Sequence, residues 1–270
     1  MLATLPPARY IRPMTRVIPT NSLDNLRDFG GYATRCGRGL KPGRLYRSAH
    51  HHHATDDDLR TLEALGVEVV VDLRRAEERA RQPSRRHEGF SGQVIHNDLG
   101  DADSGWENML RGQDPTAAFF RARSVEWYQK AAFEPRHVDL FRRYFAVLAE
   151  AEGAVLIHCA AGKDRTGLLA ALTHHLAGVS RDDMMQDYLL TNQLDFQLRR
   201  AANIARMITE YTGIVPTDEA VRAAMGVEAS DLETALAAMA DRHGSVDAYL
   251  EEALGVDARA RTAFEVKYLG

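Results

Sequence analysis

The run Ala154-Val155-Leu156-Ile157, followed by His158-Cys159-Ala160-Ala161-Gly162-Lys163-Asp164-Arg165-Thr166-Gly167, limits what this chain can fold into more than any other. The four apolar residues predict a short buried strand. Leu168-Leu169-Ala170-Ala171-Leu172 are strong helix formers, and the helix continues to about Leu176. The stretch between is therefore a loop from a strand end to a helix start. A helix start leaves backbone N–H groups without partners and carries the positive end of the dipole. A loop curling there can aim several N–H groups into one cup that suits a phosphate. Gly162 permits the bend, and Gly167 permits close packing behind it. Arg165 can reach back with a planar fork matching two phosphate oxygens. The candidate phosphate-binding residues are Ala160, Ala161, Gly162, Lys163, Asp164, Arg165 and Thr166.

Cys159 enters this cup from the strand side. Helix N-termini and nearby cations stabilise thiolates, so Cys159 is the expected nucleophile, attacking phosphorus to form a cysteinyl-phosphate. The Thr166 hydroxyl can donate to the sulfur and help it leave in the second step. His158 is expected to orient the loop by hydrogen bonding, since an ionised thiol needs no base.

Elsewhere the chain supports one α/β domain over residues 1–270. At 270 residues and 45% hydrophobic it can bury one sizeable core. A net charge of −4 argues against general nucleic-acid binding, which needs a basic face. The two cysteines, Cys36 and Cys159, do not suggest a disulfide framework. A reducing compartment fits them, and a protective disulfide between the two under oxidation is one further expectation. Residues 1–20 form an arm or edge segment, with arginines at 9, 12 and 16 interrupted by prolines. No apolar run resembles a standard signal or a membrane span. The expected location is cytoplasmic, or exported without a standard signal.

Thr55 and Asp58 predict a helix-starting capping box ahead of Leu59, Leu62 and Leu65, ended by Gly66. Val67 to Leu73 predicts a core strand with Asp72 near its C-terminal end. Ligands of open α/β sheets gather at that end of the strands, so Asp72 and Cys159 can share a crevice. The competing reading of Asp72 is a capping carboxylate for the arginines at 74 and 75. Gln93 to His96 predicts another strand, and Pro135 to Ala151 an amphipathic helix. Arg27 and Asp28 suggest a buried pair, and His50-His51-His52-His53 a solvated loop without metal-ligand spacing. Trp106, Phe119, Phe120, Trp127 and Tyr128 suggest packed core ahead of a substrate platform. Beyond residue 178 the pattern is helical, with a second capping box at Ser180 and Asp183. No metal or cofactor is expected.

The run from His158 to Gly167 resembles the signature of the cysteine-dependent protein tyrosine phosphatase superfamily. Its Gly-Lys-Asp-Arg core resembles the bacterial branch that acts on phosphotyrosine and phosphoinositides. Supporting stretches are Asn25 to Tyr32, Pro42 to Ser48, Val71 to Arg74, Asp187 to Asn192 and Gly244-Ser245. The resemblance implies a central, mainly parallel sheet flanked by helices, with a mostly helical region over 180–270 that includes a lid. It implies Asp164 as general acid, with Asp72 as the alternative acid or the group that orients Arg165. It implies a phosphorylated protein or a phosphoinositide as substrate, phosphoserine and phosphothreonine included. Lys163, a second cation at the rim, tilts the range toward lipids. Two other readings stay open: an inert phospholigand-binding module, and a sulfur-transfer protein, which the Arg-Thr-Gly ending disfavours.

Overall fold

The computed structural model describes residues 16–100, 105–193 and 196–270, without the side chains of 196–199. Residues 1–15 of the expected N-terminal arm lie outside it. The apolar run at 154 becomes β5 (Ala154–His158), the middle strand of a five-stranded sheet. The others are β1 (Arg27–Asp28), β2 (Leu45–Ser48), β3 (Val67–Asp72) and β4 (Gln93–Ile95), in the order β1-β2-β5-β3-β4. Only β1 runs antiparallel to its neighbour.

Alternation along the strands supplies both faces of the sheet. Leu45, Val69, Val71, Val155 and Ile157 join the larger core, while Tyr46, Val70, Ala154 and Leu156 join a second one. Strands buried on both faces are what a parallel sheet requires. The smaller face is covered by α1 (Asp56–Ala64), through Leu59 and Leu62, and by Leu23 and Leu26. The capping box at Thr55 and Asp58 starts α1 as its sequence predicts. The larger face carries α5 (Pro135–Glu150) and α6 (Asp164–Ala177), the latter buried on nearly all sides.

Between these lie α2 (Ala76–Arg81), α3 (Trp106–Leu110) and α4 (Ala117–Ala131). The rest is helical as expected: α7 (Arg181–Leu190), a 3-10 turn (Thr191–Gln193), α8 (Phe196–Thr212), α9 (Asp218–Met225), α10 (Ala229–His243), α11 (Val246–Glu252) and α12 (Ala258–Tyr268). α3, α4, α8 and α9 share a small core of their own, built on Leu110, Phe120, Ile208, Ala220 and Ala224. No helix of the described residues is long and apolar enough to cross a membrane.

Four expectations are corrected. Arg27 is buried but does not pair with Asp28. Adjacent strand residues face opposite ways: Arg27 meets Asp187, while Asp28 accepts from the amides of Gly30 and Gly43. His50 and His51 are buried, not solvated, because the turn after β2 passes under the loop that follows β5. At Ser180 half of the expected capping box forms: the hydroxyl accepts from the Asp183 amide and caps α7, but the Asp183 carboxylate accepts from that hydroxyl in place of the Ser180 amide. Cys36 and Cys159 cannot form a disulfide with each other. Thr34, beside Cys36, bridges to Val179 past the C-terminal end of α6, whereas Cys159 lies before its start. The 14 residues of α6 span roughly 20 Å, far beyond the ~4.4–6.8 Å that a disulfide allows between Cα atoms.

Candidate active site

β2, β5 and β3 end level, with Ser48 and Asp72 both in register with His158. The loop Cys159–Lys163 leaves the sheet at this edge and enters α6 at Asp164. Its carbonyls are held from behind. Ala160 O accepts from the His50 amide at 3.4 Å. Asn25 Nδ2 donates to Ala161 O at 3.1 Å and Gly162 O at 2.8 Å. Arg47 Nη2 donates to Gly162 O at 3.0 Å and Lys163 O at 3.4 Å. In a trans peptide the N–H points opposite its carbonyl. The N–H groups of Ala161, Gly162, Lys163 and Asp164 therefore face the other way, into a common hollow. Gly162 has φ +67°, and a Cβ there would stand 2.4 Å from Ser48 O. Only glycine fits this bend.

The clamps are themselves fixed. Arg47 Nη1 meets Asp187 Oδ2 at 2.6 Å, and Arg27 Nε meets Asp187 Oδ1 at 3.2 Å, all fully buried. Burial would push the Asp187 carboxyl up, but the two arginines hold it well below the carboxylate range. Arg27 also bonds the side chain of Asn25, which sits in the left-handed region at φ 60°.

Arg165 is held by a residue that the sequence did not single out. Its Nη1 donates to Glu78 Oε2 at 2.6 Å and to Leu73 O at 3.1 Å, and its Nη2 to Glu78 Oε1 at 2.8 Å. A guanidinium has five N–H groups. Glu78 and Leu73 take three, which leaves Nε–H and one Nη2–H, a parallel pair suited to two oxygens of an anion. Burial opposes the charges on both partners. Each overrides it in the other, holding Glu78 low and Arg165 high. Cys159 and Asp164 raise Arg165 further. Glu78 also caps α2 through the Arg75 amide. That capping spacing was its one signal in a run that looks like a charged surface.

Asp72 lies at the sheet edge, yet its oxygens serve Arg74. Arg74 Nε and Nη2 donate to Oδ1 and Oδ2 at 2.9 and 2.7 Å. Burial would raise its pKa; His158 and Arg74 hold it below the usual range. Burial pushes His158 down to about 4, so it is neutral at pH 7 and Arg74 is the partner that counts. The carboxylate partner of Arg165 is Glu78, a correction to the expectation that Asp72 orients it. His158 stacks on His51 at 4.5 Å beneath the loop.

Asp164 starts α6 with a partly exposed carboxyl. Tyr128 Oη donates to its Oδ1 at 3.1 Å, and Lys163 Nζ lies 3.5 Å from the same oxygen. Lys163 Nζ also donates to Ala224 O at 3.2 Å and Gly226 O at 2.9 Å, at the end of α9. Cys159 is 2% exposed, and the Thr166 hydroxyl is buried without a partner among the described residues. A cavity of about 170 Å³ opens beside Lys163, Asp164 and Arg165, walled by Trp106, Phe120, Trp127 and Tyr128 and flanked by Arg75 and Arg123. Four of the five aromatics expected as packed core, Phe119 excepted, thus line it. Cys159 does not itself line this cavity, which opens on the Asp164 side of the loop. No group of acidic, histidine or cysteine side chains suited to a metal occurs among the described residues.

A strand–loop–helix hollow of inward amides, with a buried sulfur at its start and a braced guanidinium at its end, defines the cysteine-dependent phosphatase class. The model of the tyrosine phosphatase family matches residues 18–270, and the chain belongs to that family. It is 35% identical over 243 residues to a candidate tyrosine-protein phosphatase of Cupriavidus necator, covering 88% of this chain and 84% of that one. It is 33% identical over 258 residues to the triple specificity protein phosphatase PtpB of Mycobacterium tuberculosis, covering 85% and 91%. Likeness to the solved structure of P. aeruginosa TpbA is slight: TM-score 0.33 at 20% identity, over 77% of this chain and 97% of that one.

Proposed function

We propose that this phosphatase hydrolyses phosphotyrosine monoesters through a cysteinyl-phosphate, with Cys159 as nucleophile. The observation that carries the reading is the loop itself. Its carbonyls are clamped from behind, and Arg165 keeps two parallel N–H groups free for phosphate oxygens. The Cys159 sulfur attacks phosphorus and the bond to the ester oxygen breaks. The amides of 161–164 and Arg165 carry the charge on the remaining oxygens. Asp164 gives its proton to the leaving oxygen. In the second step it takes a proton from water, which attacks phosphorus as the sulfur leaves. The Thr166 hydroxyl, buried and without a partner among the described residues, supports a role in donating to that sulfur as it leaves. Asp72 acts at one remove, fixing Arg74 behind the sheet edge.

Aromatic walls beside Asp164 favour an aryl ester. A wider range is the second reading, favoured by Arg75, Arg123 and Lys163 on the same cavity, which suit the further phosphates of a phosphoinositide. The mycobacterial relative is named a triple specificity protein phosphatase, which supports a range wider than phosphotyrosine alone. Lys163 weighs less in this than its charge suggests, since a second phosphate must displace its bonds to α9.

A phosphate-release screen over phosphotyrosine peptide, phosphoserine, phosphothreonine and phosphoinositides, with EDTA present, tests the range. Turnover of phosphotyrosine that persists in EDTA and vanishes in Cys159→Ser is the expected result. Wild-type protein inert on every ester would make it a phospholigand-binding module. Equal losses on peptide and lipid in Lys163→Ala would remove the second-cation argument for lipids.

A further inference from the structure

Three helices meet behind Asp164. Tyr128 comes from α4 and Tyr188 from α7, and each is 1% exposed. Tyr188 Oη donates to Tyr128 Oη at 2.7 Å, and Tyr128 Oη donates to Asp164 Oδ1 at 3.1 Å. Burial, with Asp164 next in weight, raises both phenols well above their ordinary range, so both keep their protons. Tyr188 is seated closely: a Cβ on Gly167 would lie 2.9 Å from its ring. The two rings meet edge to face at 6.4 Å and 89°.

We propose that Tyr128, backed by Tyr188, is the positioning residue that keeps the acidic proton of Asp164 on Oδ2. The proposal rests on the reading of Asp164 as general acid. Oδ1 faces the Tyr128 hydroxyl and, at 3.5 Å, the Lys163 ammonium. An oxygen that accepts a hydroxyl hydrogen and lies beside an ammonium is a poor place for a proton of its own. Oδ2 has no hydrogen-bond partner among the described residues, so it is the oxygen left to carry one. When the bond between phosphorus and the ester oxygen breaks, its electron pair goes to that oxygen, which takes the proton from Oδ2. Asp164 is left as a carboxylate whose Oδ1 is already solvated by Tyr128. The hydroxyl chain keeps the same direction before and after transfer, so nothing in it reorganises during the step. Tyr188 polarises the Tyr128 O–H and strengthens its bond to the new charge.

The test is Tyr128→Phe, assayed on aryl and alkyl phosphates whose leaving groups run from dinitrophenol to a simple alcohol. A good leaving group departs without help, and a poor one needs the acid. The expected loss in kcat grows along the series, from less than about threefold on the dinitrophenyl ester to roughly tenfold or more on phenyl and alkyl esters, with KM little changed. Tyr188→Phe should show the same trend more weakly, and it carries the test if Tyr128→Phe does not fold. A loss that is uniform along the series, or confined to KM, overturns the proposal. Asp164→Asn separates it from the reading beneath. If Asp164→Asn shows the leaving-group trend and the tyrosine variants do not, only this proposal falls. If Asp164→Asn shows no trend, the acid assignment falls and takes the proposal with it.

Discussion

At the scale of single residues, Arg165 is prepared before any anion arrives. A free arginine side chain would lose rotamer freedom on gripping a phosphate, a cost that Glu78 and Leu73 O remove in advance. Glu78→Gln keeps the shape of this brace but loses its charge. Charge-assisted bonds contribute about 1.5–3 kcal/mol, so kcat/KM on an aryl phosphate should fall roughly tenfold to a hundredfold while the far-ultraviolet circular dichroism stays unchanged. Unaltered kinetics would mean that Arg165 needs no brace. Cys159 and Arg165 stood out in the sequence because their types and spacing suit phosphate chemistry, and Asp164 because of the family resemblance. Glu78 was not, because its partner lies 87 positions away and its neighbours are ordinary surface charges. Tyr128 was assigned to the core for a related reason: one aromatic side chain can fill a core and still present a hydroxyl to a site.

At the scale of elements, the loop after β5 depends on two segments that precede it by more than a hundred residues. Asn25 and Arg47 hold its carbonyls, and Ser48 leaves no room for a side chain at Gly162. Gly162→Ala must pay the left-handed cost of about 1–2 kcal/mol and also displace Ser48 or the loop. The variant should keep cooperative unfolding, with vanadate affinity and turnover reduced on the order of tenfold to a hundredfold. Wild-type affinity in that variant would show that the bend is not needed. Helices and parallel strands were readable from periodicity and caps, as at Thr55 and along Val67 to Asp72. The burial of His50 and His51 was not. A polar run gives no periodicity, and what buries it is the fold of the loop above.

For the whole molecule, five buried histidines set the acid limit of stability. Burial pushes His50 and His137 to about 3 and His158 to about 4; it also lowers His51 and His174. Unfolded histidine titrates near ~6.5. Between that value and the depressed folded ones, the unfolded chain binds more protons, so stability falls as pH falls. The carboxyls of Asp72, Glu78 and Asp187 add a second loss below about pH 4, as pH drops through their lowered folded values. Thermal melts should therefore show Tm falling by several degrees from pH 7 to pH 5, before the carboxylates titrate. A flat Tm over that interval would mean that these rings are hydrated or protonated in the fold.

The most direct test of the central claim is intact-mass analysis of protein acid-quenched during turnover of an aryl phosphate. One added phosphoryl group, mapped to Cys159, is expected in wild type and none in Cys159→Ser, which should also be inactive. Turnover that persists in Cys159→Ser, or a phosphoryl group found on another residue, would contradict it.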